Sequence, residues 1–165
     1  MTKQLAVNCS PLILLGRISR LDLLPALAER VVVPSAVIGE LKSKDHEDWL
    51  AQTVSSHPGI EVVDAPSPTA EIQRWRLGEG ETAVLSFCLA NPGFRAVLDD
   101  LRGRRCALAL GVPIFGTLGV IVEARRRELI PVASPLVAAI RGFGYYIEDH
   151  LIEAALRQVG ETWPE

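Results

Sequence analysis

The sequence has few of the features that mark secreted, membrane-spanning or strongly basic proteins. Its cysteines, Cys9, Cys88 and Cys106, are odd in number and lack the spacing of a metal site, which indicates a reducing compartment and buried thiols. No uninterrupted apolar run approaches the roughly 18 residues that a membrane span needs. A net charge of −3 gives no overall positive field for nucleic acid, so any such binding requires arginines gathered at one place.

What is present is the composition of a packed globular protein. The chain has 165 residues, 48% of them apolar and 22% charged, which favours one domain with a substantial core and argues against disorder. The apolar stretch near the N-terminus is interrupted by residues 8–11, so it does not fit a signal peptide. We therefore expect a cytoplasmic protein without a membrane segment.

Short apolar runs alternate with longer helical patterns, which is typical of an α/β protein with a parallel sheet. The predicted strands are residues 5–7, 31–33, 60–63, 96–98 and 112–115. The predicted helices are residues 11–17, 20–29, 35–43, 45–56, 69–76, 81–91, 101–110, 117–129, 135–141 and 148–159. Together these elements predict one five-stranded sheet flanked by helices.

Prolines and glycines mark the breaks in this order. The prolines of residues 65–68 predict a loop that is too short to link domains. The last two predicted helices, joined by residues 142–146, follow the final strand and have no strand left to cover. We interpret residues 1–130 as the main domain and 131–165 as a helical extension packed on it or on a second copy.

Polar side chains follow two of the predicted strands. Asp99 and Asp100 come directly after the fourth strand, and Asn8 and Ser10 follow the first. If these strands are parallel neighbours, all four side chains lie at one carboxyl edge of the sheet, where ligands of open α/β sheets bind. Taken alone, one of the two aspartates is equally well explained as the cap of the next helix.

Two glutamates lie at the margins of apolar helix faces. Glu40 follows Ala36 and Val37 by one turn, and Glu81 opens a helix on the same stripe as the apolar side chains that follow it. Each alone is explained by a helix surface or by the helix dipole. Glu79, two residues before Glu81, is predicted to lie just outside the helix.

Together these oxygens predict a pocket for a hard cation. Mg²⁺ and Mn²⁺ prefer oxygen ligands and keep several waters, which leaves positions for a phosphate and an attacking water. The chemistry that such a pocket predicts is metal-assisted phosphodiester hydrolysis.

Five stretches in this order resemble the PIN-like nucleases, in particular the branch with Asn-x-Ser-Pro at the first strand. They are VNCSPL at 7–12, VPSAVIGEL at 33–41, GEGETAV at 78–84, LDDLRGRRCA at 98–107 and GTLGV at 116–120. The resemblance implies a three-layer α/β/α sandwich with a five-stranded parallel sheet and a divalent-metal pocket. It also implies endoribonuclease activity, often as the toxin of a type II toxin–antitoxin pair similar to the VapC-like proteins.

The resemblance also implies roles for single residues. Glu40 matches the second acid of the family, Glu81 the third, and Asp100, with Asp99 beside it, the fourth. At the first position most members have aspartate and this chain has Asn8, a substitution common in its branch. The metal ligands would be Asn8, Glu40, Glu81, Asp99 and Asp100, and the four acids would be catalytic.

Substrate contacts are predicted from a hydroxyl and from arginines. Ser10 matches the small hydroxyl residue after the first strand, and Arg102 and Arg105 follow the aspartates closely enough to hold phosphate. Arg104 belongs to the same group, for which a solvated helix face is an equal alternative. The arginines at 125–127 are better explained by the carboxyl end of their helix.

Other functions compete with this interpretation. Asn8 favours a fold that binds RNA or protein without cutting it. A sugar or phosphate hydrolase would use the same acidic edge of the sheet, formed by Glu40, Glu81, Asp99 and Asp100. The sequence GEGETA at 78–83 fits a dinucleotide pattern but follows no strand, and its acids would repel pyrophosphate. Ser10 has no nucleophile elbow, and the histidines at 46, 57 and 150 have no evident partner, which excludes a serine hydrolase. As partners we expect RNA, a cognate antitoxin and a second copy in a homodimer.

Overall fold

The computed structural model describes residues 4–44 and 47–164, and its core is the sheet that the apolar runs predict. The strands are β1 (Gln4–Val7), β2 (Arg30–Pro34), β3 (Glu61–Val63), β4 (Phe94–Val97) and β5 (Ile114–Phe115). All neighbouring strands are parallel, in the order β3-β2-β1-β4-β5. The central strand β1 is apolar and almost fully buried, as expected of a strand covered on both faces.

Ten helices are present in the described parts of the chain. They are α1 (Cys9–Arg17), α2 (Leu23–Leu27), α3 (Ser35–Ser43), α4 (Asp48–Ser56), α5 (Ala70–Arg74), α6 (Glu79–Ala90), α7 (Leu101–Leu110), α8 (Thr117–Arg126), α9 (Ser134–Gly142) and α10 (Asp149–Arg157). α6 packs across β1, β2 and β4, and α8 packs against β5. The predicted three-layer α/β/α architecture is confirmed.

The register of the sheet sets the position of the polar residues. In β1, Ala6 pairs with Val32 of β2 and with Ala96 of β4. The Asn8 N–H then donates to the Val97 carbonyl at 3.1 Å, immediately beyond the strand ends. The ends of β1 and β4 therefore meet at one carboxyl edge, as the sequence predicted.

The differences from prediction lie at element ends. α6 begins at Glu79 and not at Glu81, so the prediction that Glu79 lies outside the helix is wrong; extended Gly78 takes the N-cap position and both acids lie in the first turn, where the helix dipole favours them. β5 has only two residues, because Pro113 before it has no N–H to add to the ladder. The predicted helix start at Asp45, and His46, lie outside the described residues.

The C-terminal helices complete the fold. α9 and α10 both pack against α8, and α9 also contacts α1. Cys9, Cys88 and Cys106 are buried and free, as predicted. No helix in residues 4–44 and 47–164 has the length and hydropathy to cross a membrane. The division of the chain at residue 130 stays a prediction.

Candidate active site

Asn8 is the first polar residue beyond β1 and has a buried, unsatisfied oxygen. Only 4% of its surface is exposed, its side chain does not cap α1, and within the described residues its Oδ1 accepts no hydrogen bond. A buried acceptor without a partner costs free energy, so the site leaves at this point an oxygen available to a donor or a cation.

Glu40 reaches from α3 to the beginning of α6. Its Oε1 accepts a hydrogen bond from the Gly80 N–H at 2.7 Å, so its charge lies at the positive end of that helix. A Cβ atom on Gly80 would lie 2.9 Å from Glu40 Oε2 and 3.0 Å from Asn8 Oδ1. A side chain at residue 80 would therefore have to displace Glu40, and the Asn8 and Glu40 oxygens flank the same point.

Glu81 occupies the first turn of α6 and is half-buried. Burial raises the pKa of its carboxyl, the negative charges of Asp100 and Glu40 raise it further, and Arg102 opposes them. A Cβ atom on Gly103 of α7 would lie 3.3 Å from Glu81 Oε2, so this carboxylate faces the first turn of α7. The charges of two other acids, from α3 and from the N-cap of α7, thus act on Glu81.

Asp100 is the N-cap of α7 and is exposed. Its Oδ2 accepts hydrogen bonds from the N–H groups of Arg102 at 3.1 Å and Gly103 at 3.3 Å. The capping role that was the alternative for one of the two aspartates is therefore real, and it belongs to Asp100. The cap is formed by Oδ2, and the charge of Asp100 also acts on Glu81.

Asp99 faces a different partner. Its Oδ1 accepts from the Thr117 N–H at 2.8 Å and its Oδ2 from the Thr117 hydroxyl at 2.6 Å, which ties the end of β4 to the start of α8. Burial raises the pKa of this carboxyl, against the lowering effects of Thr117 and Arg104. Thr117, which lies in the GTLGV stretch and is fully buried, was not predicted as its partner.

The predicted substrate-binding residues are arranged unevenly. Ser10 is exposed and lines a cavity together with Asp99 and Asp100, while Arg105 is exposed on α7. Arg102 donates through Nη2 to the Trp75 carbonyl. Arg104, which was not assigned to substrate, donates to the Leu98 carbonyl at 3.1 Å and influences Asp99.

The later arginines have structural partners. Arg126 and Arg127 pair with buried Glu123 at 2.6 and 3.1 Å, and Arg125 pairs with Glu161 at 3.3 Å. These contacts are ion pairs with glutamates, and the prediction that the three arginines serve the carboxyl end of their helix stays a prediction.

The donor set fits a hard divalent cation by its chemistry. The oxygens of Asn8, Glu40, Glu81 and Asp100 come from four segments that meet at this edge, and one of them is a buried acceptor without a partner. Within residues 4–44 and 47–164, however, no three acidic, histidine or cysteine side chains form a group that could hold a metal ion. Mg²⁺ and Mn²⁺ usually keep several waters, so the fit is to an ion held partly through water.

Comparison with known protein families agrees with the fold. A family model described as a PIN domain matches residues 4–161, which is nearly the whole chain and includes every residue of the acidic edge. No curated protein matches the sequence.

Proposed function

The chain belongs to the PIN-domain family, and from that premise we propose that it is a divalent-metal-dependent endoribonuclease. PIN domains are generally nucleases, and the fold of this chain is of that type. The observation that supports activity in this chain is the meeting of Glu40, Glu81 and Asp100: burial raises the pKa of Glu81, and the other two acids raise it further against the charge of Arg102. An excess of like charge at a ligand-binding edge marks a functional site.

The proposed roles follow the contacts of each side chain. Glu40, Glu81 and Asp100, with the neutral oxygen of Asn8, would hold Mg²⁺ or Mn²⁺ directly or through water. When bound, such an ion supplies a Lewis acid that polarises the phosphate and lowers the pKa of nearby water. The reaction is hydrolysis of an RNA phosphodiester by water.

The remaining residues position the substrate and the site. Asp99 fixes the start of α8 through Thr117, so we propose that it supports the edge as a positioning residue. Ser10, at the rim of a cavity that reaches both aspartates, would contact phosphate through its hydroxyl. Arg102 and Arg105 on the first turns of α7 would supply positive charge to the RNA backbone.

The sharpest test removes one charge and keeps the fold. Asparagine caps helices as well as aspartate does, so Asp100→Asn preserves the start of α7. We expect metal-dependent cleavage of a labelled RNA to fall about a hundredfold or more, since even indirect partners of metal ligands are worth about 10- to 100-fold. The melting temperature without metal should stay close to that of the native protein.

A control variant removes one carboxylate charge outside the site, and so distinguishes loss of the site from a general effect of charge on cleavage. Asp22→Asn deletes a surface carboxylate that pairs with Arg20 and lies outside the acidic edge. Its cleavage rate should equal that of the native protein. Equal cleavage by Asp100→Asn and native protein would refute the assignment of Asp100.

A second candidate is a PIN domain that binds RNA or a partner without cutting it. Asn8 favours this function, because it replaces a charged ligand with a neutral one, and so does the lack of a preformed group of three acids in the described residues. Titration with Mn²⁺, followed by thermal stability and by cleavage of several RNAs, decides between the two. Metal binding without cleavage, converted to cleavage by Asn8→Asp, would favour the binding module.

The biological setting is also a proposal. The family resemblance favours the toxin of a toxin–antitoxin pair that acts in the cytoplasm, forms a homodimer and is held inactive by a cognate antitoxin. Expression in a bacterial host should then arrest growth, whereas Asp100→Asn should not. Light scattering of the purified chain tests the homodimer independently.

A further inference from the structure

Two cavities open beside the acidic edge, and two consecutive tyrosines line both of them. The larger, about 620 Å³, lies between the start of α8 and the segment joining α9 to α10. The smaller, about 330 Å³, lies beside α1. Asp99 also lines both, so each cavity extends from the tyrosines, Tyr145 and Tyr146, to the acidic edge. Volumes of this size are those of small-molecule and cofactor sites.

The segment that carries the tyrosines has a defined shape. Gly144 has φ +94°, a left-handed conformation that favours glycine. Arg141 of α9 donates to the Ile147 carbonyl at 3.2 Å and also pairs with Asp149 at the start of α10. These contacts fix the chain on both sides of Tyr146, so its ring is presented from an ordered turn.

The two rings differ in their surroundings. Tyr145 is half-buried, and burial, followed by the charge of Asp99, raises the pKa of its phenol to about 12. Tyr146 is 89% exposed, which is the largest exposure of any large apolar or aromatic side chain in the described residues. An exposed ring at the rim of two cavities is suited to stack on a planar ligand.

The setting indicates which ligand. The larger cavity is lined by Arg104 together with the carboxylates of Asp99 and Glu148, and the smaller by Asp99 and Asp100, so both cavities reach the proposed cleavage site. The ring lies at the rim of both cavities and not on a flat surface. A nucleotide fills such a space with its base against the ring and its phosphate toward the edge.

We propose that Tyr146 is a stacking platform for an unpaired base of single-stranded RNA, next to the phosphate held at the acidic edge. The inference takes its substrate class from the proposed function, but it concerns binding and not cleavage. Bases stack on aromatic side chains only when they are unpaired and splayed out, and the stacking tolerates different bases. The protein should therefore select single-stranded over duplex RNA.

The test measures binding without turnover. Fluorescence anisotropy is recorded in Ca²⁺, a hard cation that takes oxygen ligands, with a labelled oligouridylate of about eight nucleotides that is checked to remain uncut. Tyr146→Ala should weaken binding about tenfold, since stacking of one base contributes on this scale. Tyr146→Phe keeps the ring and should bind as the native protein does, and a duplex of the same length should bind native protein and Tyr146→Ala equally weakly.

Controls separate stacking from folding. Trp49 of α4 is also an exposed aromatic residue, at 48%, and lines neither cavity, so Trp49→Ala should leave RNA affinity unchanged. Equal affinity of Tyr146→Ala and native protein, equal binding of duplex and single strand, or no binding by the native protein would each overturn the proposal. A ring-dependent affinity in a protein that cuts no RNA with any metal overturns the proposed nuclease activity instead, and leaves the stacking site in place.

Discussion

The acidic edge and the seam between α8 and the C-terminal helices use the same kinds of charged residue in opposite ways. In the seam, Glu123 pairs with Arg126 and Arg127, and Glu161 accepts backbone N–H groups and pairs with Arg125. At the edge, no ion pair among residues 4–44 and 47–164 includes Glu40, Glu81 or Asp100.

The pKa directions express this difference. The carboxyl of Glu161 has a lowered pKa and that of Glu81 a raised one, although both are partly buried. The ionised carboxylate of Glu161 therefore stabilises the fold in the seam, whereas that of Glu81 destabilises it at the edge. A protein keeps such a cost where the unpaired charge has a use, so the contrast separates the residues that hold the fold from those proposed to act.

The largest expected effect comes from neutralising the edge. Glu81→Gln keeps the shape of the side chain and removes a charge from beside Asp100 and Glu40. Metal-dependent cleavage should fall about a hundredfold. The metal-free melting temperature should rise by about 2 °C, because like-charge repulsion is relieved. Scanning fluorimetry with EDTA and an RNA cleavage assay measure the two effects.

The same kind of substitution in the seam should lower the melting temperature instead of raising it. Glu123 is 8% exposed, and Glu123→Gln leaves two arginines without their carboxylate partner. The melting temperature should fall by about 5 °C, since loss of such a pair costs about 1–2 kcal/mol, while cleavage is unchanged. A fall in stability for both variants would remove the distinction between the two regions.

A smaller effect is expected from moving an edge carboxylate without removing it. In Gly80→Ala the new methyl group would lie 2.9 Å from Glu40 Oε2, so the glutamate must shift. We expect cleavage to fall about tenfold, comparable to the loss of an indirect partner of a metal ligand. Steady-state cleavage at several Mn²⁺ concentrations should show that the variant needs more Mn²⁺ than the native protein for half-maximal cleavage.

The matched control is the glycine next to Glu40 itself. Nothing lies within 4 Å of a Cβ atom on Gly39, which occupies the interior of α3. Gly39→Ala should raise stability by about 0.5–1 kcal/mol and leave cleavage unchanged. Equal cleavage by both alanine variants would show that the close approach at Gly80 has no role in the activity.

Much of the fold could be predicted from local sequence patterns. The bounds of α3 and α7 agree with prediction, because α3 follows β2 directly, α7 begins after the aspartates that follow β4, and an apolar stripe marks the length of each helix. Parallel pairing of β1 with β4 also followed from two polar segments placed after apolar runs. The start of α6 was misplaced, because Glu79 was interpreted as a loop residue and not as an acid of the first turn.

The sequence predicted the residues of the candidate site but not the contacts between them. Asp99 and Asp100 are adjacent, yet one bonds Thr117 across 18 residues of sequence and the other caps its own helix. Glu40 reaches Gly80 across 40 residues. Such contacts depend on how strands and helices pack, which no local pattern specifies, so the separate roles of the two aspartates required the structure.

The smallest predicted effect is a dependence of stability on pH, which tests the stabilising role of Glu161 in the seam. Burial opposes ionisation of Glu161, but the N–H groups of Ala133 and Ser134, both at 2.8 Å, and Arg125 outweigh it and lower the pKa of the carboxyl. Its contribution is therefore complete above the ordinary value of 4.5 and is lost as pH falls through the lower, folded-state pKa. Glu161→Gln should melt about 2–4 °C below the native protein at pH 7, for a loss of about 1 kcal/mol, and the gap should close as the pH falls from 4.5 through the lower, folded-state pKa. Melting curves across this range check the sign, because a gap that stays constant between pH 7 and pH 3 would place the effect in packing and not in the charge of Glu161.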